Sequence, residues 1–490
     1  MTPFFLFVVC HWAIFSGNLQ GVSNRLAIRG ASMKRVRPQI TMFVFIGLGL
    51  QLTVAQTSPF AQTVGLGVPL TLSEAVGEGL VNNPRIRAVQ SQVDASVARV
   101  SQARSGFFPQ VNISESFNRT TNPMWAFGTK LNQEIISLPD FDPSRLNDPE
   151  AIDNFSTILS VTLPVYDRGQ IRCGLTQAKL DHKATSQLED RVRQQVIVDV
   201  VVSYMGVLLA QEQLKVVDET LETARAHHHI VRSRFQSGLV VKSDLLRAEV
   251  HIAELEQERL QAQSQVDVAR AALNEAMGVD IDRSFGLTTS LEGRTEAPGS
   301  LESWISMSLE NRPDLSQIQF QEMMAEEEVK KAKAVHLPGV YLSGSYEINS
   351  EDLGEAANNY TLGAVMRLNL FSGFGLQSKV HEAMANLRQT QAMARQLELA
   401  VRVETRQAFF MAQSAYQRIG VAQAAVAQAD EGLRIVANRY ENGLFTIVNL
   451  LDAEVALQQA RTNQLRSLHD FKVAMARLKL AAGTIDETSH

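Results

Sequence analysis

Three consecutive histidines, His227, His228 and His229, are the densest set of metal-ligating side chains in the chain. Successive helical residues project roughly 100° apart, so three in a row cannot converge on one ion. They read as surface or seam histidines. His381-Glu382 begins a zinc-protease signature, but Ala385 stands where the second histidine is needed. Gly373 and Gly375 imitate a phosphate-cradling turn without its third glycine, and a tight strand-to-helix turn is the simpler account. Glu326 to Glu328, followed by Lys330, Lys331 and Lys333, are spaced for pairing along a helix surface. Two cysteines, Cys10 and Cys173, are too few for a zinc ribbon or a disulfide framework. Forty-six Lys and Arg against 52 Asp and Glu give a net charge of −6, without the concentrated basic excess of a nucleic-acid binder. No nucleophile, base and oxyanion set can be assembled, so neither an enzyme nor a cofactor is expected.

The elements carrying these residues are long and repeated. The 490 residues are 45% hydrophobic but only 7% aromatic, and 14 prolines and 29 glycines leave room for very long helices. The segment RFQSGLVVKSDLLRAEV from Arg234 matches RYENGLFTIVNLLDAEV from Arg439 at an offset of 205, with eight of 17 positions identical. The same offset sets Leu163 on Leu368 and Gly278 on Gly483. Upstream the offset becomes 229: Leu72 falls on Leu301, NNPRI at Asn82 on NRPDL at Asn311, and FFPQV at Phe107 on HLPGV at His336. The difference of 24 is an insertion between Asn112 and Phe155. The chain is therefore one unit duplicated, over residues 56–278 and 301–483, with a linker at 279–300 and a tail at 484–490.

Each unit reads as helix, strand, loop, strand, very long helix, tight turn, helix. Val207, Ala210, Leu214, Val217, Leu221 and Ala224 recur at alternating spacings of three and four, as do Leu245, Ala248, Ile252 and Leu255 on the returning helix. Copy two repeats the seam at Ile419, Ala422, Val426, Ala429 and Leu433, and His228 takes the place of Leu433. Such seams make coiled coils. Free of proline, residues 171–236 and 377–441 would each span on the order of 100 Å. A period of two marks the strands: Leu159, Val161, Leu163 and Val165 in copy one, and Leu362, Ala364, Met366, Leu368 and Leu370 in copy two. Val111, Ile113 and Phe117 alternate likewise, as do Val340, Leu342 and Tyr346; Glu115 interrupts the oily face. Alternation alone fits either hairpins packed on a soluble body or staves of a membrane barrel.

Residues 1–32 read as an upstream extension. Lys34, Arg35 and Arg37, the run ITMFVFIGLGL and small residues up to Ala55 read as a signal peptide over 33–55. Beyond residue 56 no apolar run approaches a spanning helix, so entry into a membrane would need strands closed into a barrel. Four strands cannot close one, and subunits would have to share it.

The duplicated layout, the NNP and NRP turns, and the SGL and NGL turns with their sequels DLLRAEV and NLLDAEV resemble the TolC-like outer membrane efflux proteins, from about Leu70 to Gly483. The resemblance implies a mainly α fold with a membrane β-barrel, in which a homotrimer shares one 12-stranded barrel, four strands per subunit, continued by a long α-helical coiled-coil barrel in the periplasm. It implies a passive exit duct in outer membrane lipid, joined through a periplasmic adaptor (a membrane fusion protein) to an inner membrane pump, for tripartite efflux or type I secretion. At the periplasmic tip it matches Tyr440 and Asp244 to a latch, Asp452 to an acidic aperture ring, and Gly238, Leu239, Gly443 and Leu444 to the turns that meet the adaptor. Asn449 stands at the ring's other acidic position and Phe445 at that of a gate arginine, so the double ring and the arginine latch are not carried over. Three Asp452 carboxylates converging on an axis would repel one another and favour cations. The segment between Asn118 and Asn154, containing Trp125, is expected to form a long extracellular loop. A soluble periplasmic coiled-coil scaffold or adaptor is the alternative, and a hydrolase with an unrecognised site a third reading. Duplication of strand-helix units throughout favours the duct.

Overall fold

The computed structural model describes residues 68–291, 295–352 and 354–487; the expected signal peptide and upstream extension lie outside them. After a short strand β1 (Val68–Leu70), Thr71 caps helix α1 (Leu72–Asn82) in a reciprocal box: Thr71 Oγ1 accepts the Glu74 N–H at 3.2 Å and Glu74 Oε2 accepts the Thr71 N–H at 2.8 Å. Pro84 cannot continue that helix but suits the first position of the next, so α2 (Pro84–Ser105) starts afresh with Asn83 as its cap. Copy two repeats the break at Pro313, between α7 (Leu301–Asn311) and α8 (Pro313–Ala334).

Strands β2 (Gln110–Thr120), β3 (Ile152–Tyr166), β5 (Gly339–Ser350) and β6 (Ala357–Arg367) form one antiparallel sheet in the order β2-β3-β5-β6. Residues directly opposite one another in the register share a face. The pairs Ile113 with Leu159, Val111 with Val161, Leu159 with Tyr346, Leu163 with Leu342, Tyr346 with Tyr360 and Val340 with Met366 therefore lay one apolar surface across all four strands. Much of it lies open: Ile113 is 72%, Leu362 79% and Met366 70% exposed. The other face pairs Asn112 with Ser160, Ser160 with Ser345, and Ser345 with Thr361, and carries side-chain bonds from Asn154 to Asn349 (2.8 Å) and from Ser156 to Glu347 (3.2 Å). Glu115, on the apolar face, accepts a hydrogen bond from its opposite residue Thr157. Pro164 lies past the last β2 partner, Thr162, and the β3–β5 register slips between Pro164 and Tyr166. A bulge there accommodates the missing N–H.

The expected loop of copy one is itself folded. It holds α3 (Pro123–Asn132), a 3₁₀ turn (Leu138–Phe141) and α4 (Pro143–Asn147). Lys130 pairs with Asp140 at 2.7 Å, and Gln133 donates to the Asp153 carbonyl at 2.8 Å, fastening the insertion to the head of β3.

Each sheet half feeds a long helical hairpin: α5 (Gln170–Gln236) returns through α6 (Lys242–Met277), and α9 (Gly375–Glu441) through α10 (Ile447–Ala482). The two long helices have 67 residues each, roughly 100 Å at 1.5 Å per residue. The strand-to-helix turns correspond across the duplication, with left-handed backbone at Arg168 and Gly169 in one and at Gly373 and Phe374 in the other. The Gly373/Gly375 pair thus belongs to a turn.

Midway along α5, Val196, Val200, Tyr204, Val207 and their neighbours are buried against α1, the end of α6 and the end of α10. Contrary to the expectation from the sequence, α5 is long and apolar enough by composition to cross a membrane, but half of its most apolar stretch is buried within the chain, as in a core helix. Strand β4 (Phe285–Leu287), inside the expected linker, pairs in parallel with β1, and Tyr204 Oη donates to the Leu70 carbonyl at 2.9 Å beneath that pair. The duplication recurs at the level of single contacts. Gly278 ends α6 with φ +72° and Gly483 ends α10 with φ +71°. Each lies against the helix break of its own copy, where Asn83 Nδ2 donates to the Ala276 carbonyl at 2.8 Å and its counterpart Arg312 donates to the Ala481 carbonyl at 3.3 Å.

Candidate functional site

The distal turns of the two hairpins are near copies. In one, Gly238 has φ +70°, its N–H donates to the Phe235 carbonyl (3.0 Å), and the Leu239 N–H reaches the Arg234 carbonyl (2.9 Å). In the other, Gly443 has φ +75°, its N–H donates to the Tyr440 carbonyl (3.0 Å), and the Leu444 N–H reaches the Arg439 carbonyl (2.9 Å). A left-handed glycine closing the last carbonyls is the Schellman stop, and it ejects the next residue from the helix. Leu239 is 74% and Leu444 72% exposed as a result.

Behind the turns, Val231, Tyr440, Ile447 and Leu450 form a small buried core, with Phe445 packed at its edge. Arg234, from the end of α5, lies 5.2 Å from the Tyr440 ring centroid and donates to the Tyr440 carbonyl at 2.9 Å and to the Glu441 carbonyl. It thereby satisfies the open end of α9 with a cation, the sign a helix C-terminus favours. The Tyr440 hydroxyl is buried without a hydrogen-bond partner among the described residues. Burial pushes its pKa up, Arg234 opposes the shift and the Asp244 charge adds to it. Tyr440 and Asp244 are thus close enough to feel one another, but Arg234 makes the bonds that hold the hairpins together here.

Asn449 is used by its own helix: its Oδ1 accepts from the Thr446 N–H (3.2 Å) and hydroxyl (2.8 Å), closing the start of α10. Asp452, one turn on, is exposed. It lies two residues from Glu454, hence about 200° around the helix from it. Glu454 faces the other hairpin, so Asp452 and Asn449 point away from it.

Glu454 was not among the residues the sequence singled out. It is 3% exposed and stands between two histidines: Oε1 meets His227 Nδ1 of α5, and Oε2 lies 3.3 Å from His251 Nε2 of α6. The histidine run diverges as helix geometry requires, with His228 3.7 Å from Glu249 and His229 exposed. Burial raises the Glu454 pKa, but the nearby His227 and His251 rings outweigh it, and the net direction is down. A signal was present in the sequence: Ile447, Leu450, Glu454 and Leu457 keep the three-four spacing of a seam, and an acid on a seam calls for partners. Further up, Gln458 donates to Glu258 (2.8 Å) and Arg461 to Glu219 (3.2 Å), so polar contacts line the joint between hairpins.

Other candidates lie apart from this joint. Lys330 pairs with Glu327 at 2.6 Å and Lys331 with Glu328 at 3.1 Å, as helix spacing predicts. His381 and Glu382 are exposed. Cys173 is a free thiol whose pKa burial pushes up, with Glu327 adding to the shift. Among the described residues no three His, Cys, Asp or Glu side chains are placed to hold a metal ion.

A four-stranded sheet, apolar on one face and polar on the other, running into paired helical hairpins with matched distal turns defines the subunit class of outer membrane channels with helical extensions. Residues 75–279 and 304–484 match the outer membrane efflux protein family, and the chain belongs to it; it is an outer membrane protein. It is similar to the outer membrane protein TolC of Vibrio cholerae, 25% identical over 427 residues that cover 85% of this chain and 91% of that protein. The alkaline protease secretion protein AprF of Pseudomonas aeruginosa is 23% identical over 83% of each chain. Among solved structures, the Campylobacter jejuni CmeC outer membrane channel superposes with a TM-score of 0.72 at 18% identity, covering 86% of this chain and 87% of that one. The open state of the Neisseria gonorrhoeae MtrE channel gives 0.70 at 17%, covering 84% and 88%.

Proposed function

We propose that three copies of this chain close one 12-stranded barrel in the outer membrane and one helical barrel beneath it, forming a passive exit duct for tripartite efflux or type I secretion. One observation carries the reading: both outer strands of the sheet, β2 and β6, are 11 residues long, and among the described residues no strand pairs with their outer edges. That length suits a tilted membrane-spanning strand, and lipid tolerates no open edge. The four strands alternate in direction, so β6 of one copy would meet β2 of the next antiparallel. The apolar face would then meet lipid and the polar face the lumen. The folded insertion at 121–151 would lie outside the cell.

At the other end, the Gly238-Leu239 and Gly443-Leu444 turns present six exposed leucines per trimer to a periplasmic adaptor, which links the duct to an inner membrane pump. Asp452 of each copy faces the aperture, with Asn449 beside it, and Tyr440, Asp244 and Phe445 belong to the closing machinery behind the turns. Fractionation, gel electrophoresis without heating and bilayer recording test the reading together. An outer membrane trimer that dissociates on heating and conducts ions is expected. A soluble monomer that does not conduct would favour a periplasmic scaffold.

A further inference from the structure

Arg234 and Arg439 occupy equivalent positions of the duplication, three residues before the start of each turn, yet within one chain they meet different fates. Arg234 is partly buried and clamped on the end of α9, over the Tyr440 ring and on the Tyr440 and Glu441 carbonyls. Arg439 is exposed, lies 5.1 Å from the Phe445 ring centroid, and meets no acceptor within the chain among the described residues. The equivalents of Tyr440 and Glu441 are Phe235 and Gln236, at the end of α5. Where Tyr440 is buried beneath its arginine, Phe235 is 37% exposed, and among the described residues no cation covers its ring. The Phe235 carbonyl accepts the Gly238 N–H at 3.0 Å, as that of Tyr440 accepts Gly443, and keeps a second lone pair for another donor.

The chain thus carries one completed clamp and both separated halves of a second. A head-to-tail ring of repeats supplies the missing junction: α5 meets α10 inside the chain, and α9 must meet α6 of the next copy. We propose that Arg439 docks on the neighbouring copy, stacking over its Phe235 and donating to the Phe235 and Gln236 carbonyls at the end of its α5. The occupant is a second copy of this chain, and the contact rests on the trimeric duct reading. Arginine suits the site because its planar fork stacks and donates at once, which lysine cannot do. Lys242 replaces buried Ile447 at the equivalent place, so this junction has less apolar burial than the one within the chain and the clamp carries more of it.

The test is the temperature at which the trimer dissociates, read on gels of outer membranes warmed in steps, for the unsubstituted chain, Arg439→Ala and Arg439→Lys. Both substitutions should lower it, alanine more than lysine, because lysine keeps the charge without the planar fork. An unchanged temperature for alanine overturns the contact. Absence of trimers for the unsubstituted chain sinks the duct reading instead. Should the Arg439 variants not reach the membrane, Phe235→Leu removes the ring from the other side of the contact: it should lower the dissociation temperature as well, and an unchanged temperature overturns the proposal.

Discussion

Glu454 is the residue on which both hairpins converge, since it sits on α10, bonds to His227 of α5 and lies 3.3 Å from His251 of α6. Its pKa lies below the ordinary 4.5 because His227 and His251 more than offset the burial that opposes its charge. A carboxyl depressed in the folded state contributes stability that is present above its ordinary pKa and lost as pH falls through the folded value. The joint should therefore loosen below about pH 4.5, and Glu454→Gln should flatten that part of the profile; thermal unfolding between pH 7 and pH 3 measures it. Glu454→Leu leaves His227 without its acceptor and should cost roughly 1–3 kcal/mol at neutral pH. Asp452, on the opposite face of the helix, should leave stability unchanged when replaced by Ala but reduce cation preference, read as a smaller reversal potential under a salt gradient. Unaltered selectivity would remove Asp452 from the aperture.

At the scale of elements, the positions that join one helix to the next set the architecture. A Cβ on Gly278 would stand 2.7 Å from Asn83 Cα, and one on Gly483 2.7 Å from the Asn311 carbonyl oxygen, both backbone atoms at the helix breaks. With the left-handed φ added, Gly278→Ala or Gly483→Ala should each destabilise by roughly 2–4 kcal/mol. Gly77, inside α1 with nothing within 4 Å of an added Cβ, should gain up to about 1 kcal/mol as Ala. Denaturant midpoints of the three variants compare them directly. These glycines also show what a linear pattern can carry. The 205 offset matched Gly278 to Gly483 and Arg234 to Arg439, and the periods of two and three-four located the strands and long helices, because duplication and burial both leave regular marks. Strands β1 and β4 left none: three residues each, more than 200 positions apart, they have no room for a period. The insertion likewise folds around Asn and Asp caps and one Lys130–Asp140 pair, whose stabilising contacts are local and aperiodic. The seam spacing marks Glu454 itself, but its partners leave no mark, because they belong to two other helices.

For the whole molecule, the decisive physical fact is that one sheet face is oily and uncovered while the other is polar. Within a soluble scaffold those apolar side chains would have to be buried by a partner protein, and residues on the two faces would differ only through that partner. In a barrel they face hydrocarbon, and an added charge is penalised according to depth. Leu362 and Thr361 are adjacent on β6 and point to opposite faces, Leu362 opposite Gly344 and Thr361 opposite Ser345. In such a barrel Leu362→Arg should cost on the order of 2–4 kcal/mol if it lies near the bilayer midplane, while Thr361→Arg would project into a water-filled lumen and should cost little. Leu362→Arg should then accumulate little heat-modifiable trimer in outer membranes. Thr361→Arg should assemble normally and shift conductance or ion preference instead. Equal assembly of both variants, with equal conductance, would mean that neither face meets lipid, and the shared barrel would have to be abandoned while the helical hairpins and their joint stayed as they are.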